Sequence, residues 1–567
     1  MGVSYQGLDC LADMSNSTYM MYQQLSQTEI PWADQSNYAK YTIYFGIVTI
    51  FISTLKNAYY RFRDSTYLNT RSSNKFSSIV DVLISYCRFV GYKQVPKYLT
   101  YLSFPNSVGS TLYMMISALY LFCYCLVPHF WYRGCAGFGS PPLAVRAGMM
   151  ATALTPFIYI LAGKSNAITL LTGISYEKLN VYHQYVGVCT LVLSIIHTIP
   201  FIHQDLVEGG SGHLHMNFIS DRYYYSGIPP LILLGLLCTL SKAWIRKHIY
   251  EFFLHSHWMF GIAYFGTLIW HIDKSLDADD YMWGALAFWA TQLIYRILIK
   301  TAFKPNSMFL KSRPAIMNQS GDNVYEIVIE KVKDYKWAPG QHCFLRFADL
   351  SILDSHPFSI ASIKEDEQGM RFIVIPKKGL TKSHFEELNT KLTCEKKVFI
   401  DGPYGGTFRN IESFERVVLI ASGSGVTATL PFLSYLSKHN NILKYVSFIW
   451  IVRKTEDVNW IDEKLKECQK LLGNKLDIQL HVCEKEVDEK YIENDLQYIY
   501  DKPSVKKIIT NLVNTLTTRN MFICSGSDSM KREVSKSVSE LQSLIFNNDY
   551  EATNIEEIYL HTESFGW

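Results

Sequence analysis

The sequence lacks several features that would place it in a common class of soluble protein. Its 54 lysines and arginines nearly balance its 51 aspartates and glutamates, and no basic patch is concentrated enough to indicate nucleic-acid binding. Its 12 cysteines include no CxxC pair, so neither a disulfide framework nor a zinc site is predicted. The first twenty residues lack a basic segment followed by an apolar one, which argues against a cleavable signal peptide. Internal repeats and low-complexity tracts are not found either.

The sequence is instead rich in apolar and aromatic residues. Hydrophobic residues make up 48% of it, aromatic residues 14%, and charged residues only 19%. This composition is too apolar for an ordinary soluble enzyme of 567 residues and too charged for a protein that lies wholly in a membrane. A membrane half joined to a soluble half is therefore predicted.

Seven apolar runs come close to the length of about 20 residues that spans a bilayer, although two of them are short or polar at one edge. With the N-terminus outside, fifteen lysines and arginines fall on the inner segments and five on the outer ones. This bias predicts that the chain after residue 300 is cytosolic. The runs lie near residues 41–56, 110–130, 144–163, 179–202, 229–245, 251–271 and 282–300.

The character of the chain changes after residue 300. Residues 323–333, 342–347 and 371–378 alternate in polarity or are β-branched, which predicts short antiparallel strands in a small barrel. From about residue 415, apolar strands lead through loops into helices, a pattern typical of a parallel, doubly wound sheet. The predicted domains are an external segment (1–40), a multi-pass α-helical membrane domain (41–300), an antiparallel β-barrel (301–410) and a doubly wound α/β domain (411–567).

Two of the predicted membrane helices carry histidines with the same spacing. His183 and His197 are separated by as many positions as His257 and His271. On a helix this spacing is about 21 Å and almost four turns, so both histidines lie on nearly the same face. One predicted span separates the two helices, so they cross the membrane in the same direction. His183 should therefore face His257 near the inner surface, and His197 should face His271 near the outer one.

Facing pairs of neutral imidazoles suit the two axial positions of a haem iron. Polar side chains inside a membrane are costly and usually functional. The four histidines therefore predict two stacked bis-histidine haems that form an electron path across the hydrocarbon. Single histidines could instead form interhelical hydrogen bonds. His255 is a rival to His257, but it breaks the equal spacing.

Glycine-rich turns in the second half indicate phosphate binding. Gly379 and Thr381 open a predicted helix, whose N-terminus attracts a pyrophosphate. Gly423 and Gly425 follow an apolar strand and precede a helix, so they would let the backbone approach a dinucleotide pyrophosphate. Glycines that serve only packing are the alternative. The segment DGPYGG (401–406) is expected to close the barrel with a tight turn.

Other residues of the second half have two interpretations each. Arg453 and Lys454 end the next strand and favour the 2′-phosphate of NADPH, although a solvated charge cluster with Glu456 and Asp457 is the alternative. Cys524 ends another apolar strand and could lie beside a nicotinamide or be a buried structural cysteine. An aromatic residue at the C-terminus, Phe565 or Trp567, could cover a flavin ring or only pack.

From about residue 110 to Trp567, the chain resembles the ferric reductase and NADPH oxidase superfamily, especially its fungal ferric reductase-like branch. The resemblance is carried by the paired histidine helices and four short motifs. These motifs are HPFS (356–359), GSGVT (423–427), CSGSDSM (524–530) and the terminal ESFGW. Where the family has CGP near the nicotinamide, this chain has Cys524-Ser525-Gly526.

The resemblance implies a role for each matching residue. The four paired histidines would ligate two b-type haems, with NADPH as the electron donor and FAD as the intermediate carrier. The FAD isoalloxazine would lie against His356, Pro357, Phe358 and Ser359, with its pyrophosphate at Gly379 and Thr381. The NADPH phosphates would lie at Gly423, Gly425 and Thr427. Cys524 and Ser359 would line the hydride-transfer site, with Trp567 stacked on the flavin.

The expected activity is therefore electron transfer from cytosolic NADPH to Fe³⁺ or Cu²⁺ outside, in the plasma membrane or endoplasmic reticulum. Reduction of O₂ to superoxide is the alternative enzymatic activity, and a non-catalytic membrane regulator is the alternative of another class. Residues 203–221 are read as an outer loop that either docks a metal cation or is simply solvated. The potential ligands there are His203, Asp205, Glu208, His213, His215 and Asp221.

Overall fold

The structure is a computed structural model of the chain, and its residues fall into two compact units. The helical unit comprises Met1–Leu55 and Leu112–Leu293, and the sheet unit comprises Lys56–Thr111 and Ile294–Gly566. Residues 56–111, which lie inside the 41–300 domain expected from the sequence, are thus grouped with the second half of the chain. The structure describes all residues except 1–3, 6, 71–74, 102–103, 129, 302–311, 331, 333–334, 349–354, 367–368, 485–497, 548–554 and 564–567.

Helices dominate the first 300 residues. Each of the seven apolar runs in the sequence lies mainly in one long helix, and the last run continues into a π-helical turn at Arg296–Lys300. The helices are α1 (Ser17–Glu29), α2 (Asn37–Thr70), α3 (Lys75–Gly91), α4 (Lys97–Tyr101), α5 (Val108–Leu126), α6 (Pro142–Ala162), α7 (Ala167–Thr172), α8 (Tyr176–Ser220), α9 (Arg222–Leu240), α10 (Ala243–His248), α11 (Tyr250–Ile272) and α12 (Asp279–Tyr295).

Six helical stretches of the described chain are long and apolar enough to cross a membrane. They contain α2, α5, α6, α8, α9 and α12. The remaining predicted span, 251–271, lies in α11, which has 23 residues. It falls outside this set because its three histidines and its tyrosine and tryptophan side chains lower its mean hydropathy.

Helix α6 is the centre of the helical unit. Most of its residues are buried, whereas only a minority of each other candidate span is. Its four buried alanines, at positions 144, 147, 151 and 153, give it a slim surface on which neighbouring helices can pack closely. Met150 and Leu154 of α6 pack with Cys189 and Leu193 of α8 in one apolar cluster. This packing places the histidine helix α8 directly against α6.

The prediction of an outer loop at residues 203–221 is wrong, because α8 continues through these residues as far as Ser220. The helix is interrupted at Gly210, whose φ of 69° is left-handed and suits glycine. The acidic side chains expected there as cation ligands are largely buried. Asp205 is 2% exposed and accepts a hydrogen bond from Asn217, and Glu208 is 3% exposed and accepts one from Gln204. In the part of the chain that the structure describes, no three His, Cys, Asp or Glu side chains form a metal-binding group.

The sequence analysis also predicted no disulfide framework, and this prediction is wrong for one pair of cysteines. Cys10 and Cys135 form a disulfide across 125 residues of chain, which their distance in the sequence hides. The bond ties a short antiparallel pair, β1 (Ser4–Tyr5) and β2 (Leu8–Asp9), to the segment before α6. Tyr19 of α1 and Phe138 pack beside it in a small buried cluster. The N-terminal segment is thus folded onto the helical unit.

The first half of the sheet unit is a six-stranded antiparallel sheet, as predicted. The strand order is β6-β5-β8-β3-β4-β7, and a hydrogen bond from Ala361 N to Arg371 O brings the two sheet edges together. DGPYGG does not form the expected turn, because residues 401–405 belong to β8. The elements are β3 (Arg313–Gly321), β4 (Val324–Ile329), β5 (Gln341–Phe347), β6 (His356–Ser359), β7 (Met370–Val374), α13 (Leu380–Lys391) and β8 (Thr393–Gly405).

The second half of the sheet unit is a parallel sheet covered on both faces, again as predicted. The strand order is β12-β11-β10-β9-β13-β14, so the chain reverses direction across the sheet between β9 and β13. A separate apolar cluster fills each face of the sheet. The elements are β9 (Arg416–Ser422), α14 (Val426–Lys438), β10 (Tyr445–Val452), α15 (Asp462–Leu472), β11 (Leu476–Val482), β12 (Tyr498–Ile499), α16 (Val505–Asn511), β13 (Arg519–Ser525), α17 (Asp528–Leu541), α18 (Ser543–Phe546) and β14 (Glu557–Glu563).

A buried cluster of ion pairs joins the end of α2 to both halves of the sheet unit. Arg409, which follows β8, donates to Asp64 of α2 and to Glu557 of β14. Arg519 of β13 donates to the same two carboxylates, and Arg88 of α3 donates to Glu557. All five side chains are less than 9% exposed. We call them the buried charge cluster.

Candidate functional site

Helices α8 and α11 bring the four predicted histidines into two facing pairs. The rings of His183 and His257 have their centroids 6.2 Å apart, and those of His197 and His271 are 6.1 Å apart. His255 is two residues from His257, about 200° around the helix, so it lies on another face. The equal spacing of the histidines on the two helices predicted this pairing from the sequence.

Each of these imidazoles has a hydrogen-bond partner at Nδ1. His183 and His197 of α8 contact backbone oxygens of α6, those of Ile158 (3.0 Å) and Ala144 (2.8 Å). A carbonyl oxygen can only accept, so Nδ1 carries the proton in both rings, and Nε2 carries the free electron pair. This is the arrangement found in metal-ligating histidines, in which the second ring nitrogen donates to a carbonyl or similar acceptor.

The histidines of α11 are held by hydroxyl groups. His257 Nδ1 lies 3.1 Å from Ser241 Oγ, and His271 Nδ1 lies 3.1 Å from Ser226 Oγ. Ser226 belongs to α9, and Ser241 is its C-terminal cap. A hydroxyl can accept from Nδ1, so the Nε2 atoms of α11 can carry free electron pairs as well.

The spacing of the two pairs fits a metal held between them. Two metal–nitrogen bonds of about 2 Å each, plus the short distance from each nitrogen to its ring centre, give a centroid separation of about 6 Å. Two ligands are few for an ion bound by protein alone, but they are the number that haem iron needs, because the porphyrin supplies the other four nitrogens. The donor set and its spacing therefore fit haem.

Two glycines make room for the outer pair. A Cβ on Gly148 of α6 would lie 2.6 Å from Nδ1 of His197, and one on Gly227 of α9 would lie 3.0 Å from Cε1 of His271. Both distances are shorter than ordinary contacts. These positions in α6 and α9 therefore favour glycine, which the sequence alone did not reveal.

The HPFS segment forms β6, an edge strand that pairs with β5. His342 lies opposite Ser359, and Phe344 lies opposite Pro357. Phe358 is 8% exposed and packs in the barrel core, so it does not present its ring on the surface. Pro357 is exposed and Ser359 is half-buried. Of the four residues, these two alternate with Phe358 and lie on the opposite face of the strand.

Gly379 and Thr381 start a helix, as the sequence predicted. Gly379 is the N-terminal cap of α13, with a φ of 79°. Among the described residues, apart from its chain neighbours and its own helix backbone, no atom lies within 4 Å of where its Cβ would be, so the approach to this backbone is open there. The hydroxyl oxygen of Thr381 accepts a hydrogen bond from the backbone N–H of Lys377.

Gly423 and Gly425 lie in a tight turn between β9 and α14, at the point where the strand order reverses. Gly423 has a φ of 51°, and its carbonyl accepts a hydrogen bond from the indole of Trp450. A Cβ on Gly425 would lie 2.2 Å from the carbonyl oxygen of Ser525, so Gly425 lets the ends of β9 and β13 meet. Thr427 is buried, and its hydroxyl donates to Ser424 O. Ligands of open α/β sheets bind in the cleft at such a reversal point.

Cys524 and its neighbour point to opposite faces of β13. The Cys524 side chain is fully buried in an apolar cluster, and burial raises the pKa of its thiol to about 12. Ser525 is also buried, but its hydroxyl has no hydrogen-bond partner within the described part of the chain. Ser525 lies at the carboxyl end of β13, beside the turn that contains Gly425. Sequence reasoning had pointed to Cys524 and overlooked Ser525.

Arg453 is 79% exposed and lies at the end of β10. Its guanidinium is paired with the carboxylate of Glu484, which raises its pKa. A phosphate bound here would have to compete with that carboxylate. Phe565 and Trp567, which the sequence placed on a flavin, lie outside the described residues.

Three parts of the chain match known family models. Residues 147–268 match the ferric reductase-like transmembrane component, 309–408 an FAD-binding domain, and 414–539 the ferric reductase NAD-binding domain. The first match includes His183, His197 and His257 and ends three residues before His271.

The chain is 34% identical to the ferric/cupric reductase transmembrane component 7 of Saccharomyces cerevisiae, in an alignment that covers 99% of this chain and 98% of that protein. The chain belongs to the ferric reductase family. This ferric reductase family member is also 30% identical, over 70% of its length and 56% of the other's, to a probable cell surface ferric reductase of Aspergillus oryzae. A ferredoxin-NADP⁺ reductase structure from Plasmodium falciparum covers 47% of this chain and 100% of its own, with 14% identity and a TM-score of 0.33.

Family membership and the matched domains identify the chain as an NAD(P)H-dependent oxidoreductase with an FAD-binding domain. The FAD-binding match contains β6 and α13, and the NAD-binding match contains the turn after β9 and the end of β13. Three of the four facing histidines lie within the match to the transmembrane component, and α8, which carries two of them, is a candidate membrane span.

Proposed function

We propose that this chain transfers electrons from cytosolic NADPH across the membrane to ferric or cupric ion on the other side. The proposal rests on the two facing pairs of histidines. In each pair the ring centres are about 6 Å apart, and the two rings belong to two helices of the membrane portion. The name of the yeast relative, a ferric/cupric reductase, supports a metal acceptor.

Two b-type haems would be held by His183 with His257 and by His197 with His271. Haem iron exchanges single electrons, and this is the chemistry that it would supply here. The residues around the histidines support this assignment of the ligand atoms. The carbonyl oxygens of α6 keep the proton on Nδ1 of both α8 histidines, so that Nε2 remains free to bind.

The FAD isoalloxazine would lie beside β6, against Pro357 and Ser359, with His356 and Phe358 supporting the strand. Its pyrophosphate would bind at the N-terminus of α13, where the backbone around Gly379 is open and Thr381 follows. When bound, FAD accepts a hydride and passes on single electrons, a conversion that belongs to the cofactor. Trp567 would stack on the flavin.

NADPH would bind in the cleft between the ends of β9 and β13. Gly423, Gly425 and Thr427 would line its phosphates, and Arg453 would contact the 2′-phosphate after release from Glu484. The nicotinamide would approach Cys524 and Ser525, and the orphan hydroxyl of Ser525 would bind its carboxamide. Cys524 would support this wall from the buried side, since its thiol is fully enclosed.

The sidedness of the proposal rests on two features. The disulfide Cys10–Cys135 is typical of an oxidising compartment, which supports an external or luminal N-terminal side. The excess of lysine and arginine on the opposite segments supports a cytosolic second half. Asn16, in the sequon Asn16-Ser17-Thr18, is exposed, so its glycosylation would test this orientation directly.

The decisive experiment is spectroscopic. The protein is purified in detergent and reduced with NADPH without oxygen, and either a ferric chelate or O₂ is then admitted while the haem spectrum is followed. Reduction of a b-type spectrum and its rapid reoxidation by the ferric chelate are expected. Faster reoxidation by O₂, with release of superoxide, would assign the chain to the oxidases instead. No haem band at all would overturn the proposal.

A matched pair of variants assigns the inner ligand. His257→Ala should remove one of the two haems, because it deletes the ring that faces His183. His255→Ala, two residues away on another face of α11, should retain both. Haem content per protein is the measurement, and equal loss in both variants would contradict the assignment of His257.

A further inference from the structure

Helix α3 of the sheet unit has its polarity reversed relative to an ordinary surface helix. Asp81, Ser85 and Arg88 are buried, with exposed fractions of 8%, 1% and 7%. Ile79 and Leu83 are exposed, with fractions of 72% and 63%. A helix on the surface of a soluble domain normally buries its apolar side and exposes its polar one.

Among residues 79–91 of α3, whose burial is described, the exposed residues form one continuous stripe. At 100° per residue, they fall within an arc of about 100°, opposite to the three buried polar positions. The members of the stripe are aliphatic, aromatic or cysteine side chains, and none of them is charged. The stripe consists of Ile79, Leu83, Tyr86, Cys87 and Val90.

Hydrogen bonds fix which side of α3 faces the protein. Asp81 accepts from both Arg63 and the hydroxyl of Tyr59 on α2. Arg88 donates to Glu557 and to the backbone oxygen of Ile558. Rotating the helix to bury the stripe would break both sets of contacts and leave buried charges unpaired, which is expensive. The apolar stripe is therefore held outward.

Chain continuity and charge indicate what covers the stripe. Helix α3 lies in the chain between two consecutive candidate membrane spans, Ser17–Thr70 and Val108–Leu126, so both ends of the connection would lie at the same face of a bilayer. Between Ile79 and Thr100 the acidic side chain is Asp81, which is buried, whereas Lys93 and Lys97 are exposed. An apolar stripe flanked by cations is the surface that binds in the headgroup region of an anionic leaflet.

We propose that α3 is an interfacial helix whose stripe inserts into the lipid surface that adjoins the sheet unit. Lys93 and Lys97 would contact anionic headgroups beside it. The buried side of the same helix is bonded to the buried charge cluster through Arg88 and Glu557. The lipid surface would thus be a docking partner of the domain that binds the nucleotide.

Two native cysteines provide a direct test and its control. Cys87 lies on the stripe, and Cys483 is exposed elsewhere in the sheet unit. The full-length protein is placed in lipid nanodiscs with a fluorophore on one of these two thiols, the other exposed cysteines being replaced by serine. Lipids brominated along the acyl chain should quench the fluorophore at Cys87 several-fold more strongly than the one at Cys483. Equal quenching at the two positions would overturn the proposal.

Two alternative occupants give different results in the same experiment. If a second copy covers the stripe, Cys87 will be protected from a water-soluble quencher only when nanodiscs hold two chains, and lipid quenching will be absent. If a soluble partner covers it, Cys87 of the purified protein will be as accessible to that quencher as Cys483. Either result overturns the lipid assignment.

A pair of substitutions tests the stripe itself. Ile79→Ser combined with Leu83→Ser should reduce lipid quenching at Cys87 to near the level at Cys483. Leu471→Ser is the matched control, since Leu471 is 50% exposed on α15 of the same unit, and it should leave the quenching at Cys87 unchanged. A double variant that folds and retains full quenching would contradict the proposal. Ile79→Phe with Leu83→Phe, which stays apolar, should retain the quenching.

Discussion

The two units bury arginines in different ways. In the helical unit, Arg146 donates to the backbone oxygens of Cys125, Pro128 and Phe130, and Arg133 donates to those of Ser26, Ile30 and Ser140. Three of these six oxygens, those of Cys125, Ser26 and Ile30, lie at the C-terminal ends of α5 and α1. In the sheet unit, Arg409 and Arg519 are instead paired with the carboxylates of Asp64 and Glu557.

The difference follows from the groups that each fold leaves unsatisfied. A helix ends with four carbonyl groups that have no partner within the helix, and a guanidinium with several donors can satisfy several of them at once. The helical unit therefore uses arginine to cap helices. In the buried charge cluster of the sheet unit, arginine is paired with carboxylates instead and joins segments that are far apart in sequence. Removing an arginine or its partner should cost more in the second case, because an unpaired carboxylate or guanidinium remains buried.

The largest effect is expected for Glu557→Gln. This change keeps the shape of the side chain but removes the carboxylate shared by Arg88, Arg409 and Arg519, and it should destabilise the sheet unit by about 3–5 kcal/mol. Thermal unfolding of the purified protein measures it. Glu484→Gln removes the partner of the exposed Arg453 and should leave the melting temperature unchanged. Equal melting temperatures for the two variants would contradict the expectation that a buried ion pair contributes more stability than an exposed one.

The next effect concerns the disulfide of the helical unit. Cys10→Ser with Cys135→Ser should destabilise the N-terminal segment by about 2–4 kcal/mol, because the bond closes a long loop in the unfolded chain. Protease sensitivity of that segment and thermal unfolding both report on it. Cys123→Ser replaces an exposed free cysteine of α5 and should behave like the wild type. An unchanged double variant would mean that packing around Phe138 alone holds the segment.

A smaller effect is expected for Arg146→Lys. Lysine keeps the charge but cannot reach all three backbone oxygens with one planar group, so about 1–3 kcal/mol of stability should be lost. Arg222→Lys, at an exposed pair with Asp273, is the matched control and should melt normally. If Arg146→Lys cost as much as Glu557→Gln, the two units would not differ in the way described.

The smallest effect is a dependence of the stability on pH through Asp366. Burial alone would raise the pKa of Asp366, but Lys464, the Ile363 N–H and Lys438 together hold it below its usual value. A carboxyl with a lowered pKa contributes stability above its unfolded pKa and loses that contribution as the pH falls through its folded pKa. Below about pH 4, the advantage of the wild type over Asp366→Asn should therefore shrink from about 1 kcal/mol towards zero. A constant difference between the two melting temperatures from pH 7 to pH 3 would show that Asp366 does not titrate in this way.

The sequence predicted the histidine pairs because their equal spacing on two apolar runs is visible without a structure. It did not predict the Nδ1 partners of His183 and His197, because backbone oxygens have no residue type to recognise. The strands β3 and β8 were overlooked because lysines and polar residues interrupt their apolar pattern.

Long-range partners were also invisible. Asp64 and Arg409 are 345 residues apart, and Cys10 and Cys135 are 125 apart, so no local pattern connects them. The assignment of residues 56–111 to the sheet unit depends on such contacts. Composition placed them between two membrane spans, which is correct for the order of the chain but does not show what they pack against.

The hydrogen bonds between α6 and α8 have a consequence for how this family can vary in length. Ile158 and Ala144 are separated by as many positions on α6 as their partners His183 and His197 are on α8, and the two helices run in opposite directions. The distance between these two oxygens of α6 therefore has to match the distance between the two histidines of α8. A one-residue insertion between Ala144 and Ile158 would rotate one of the two oxygens by about 100° and shift it by about 1.5 Å, away from its imidazole. Relatives that keep both contacts should therefore have the same number of residues between the two paired positions on α6 as on α8.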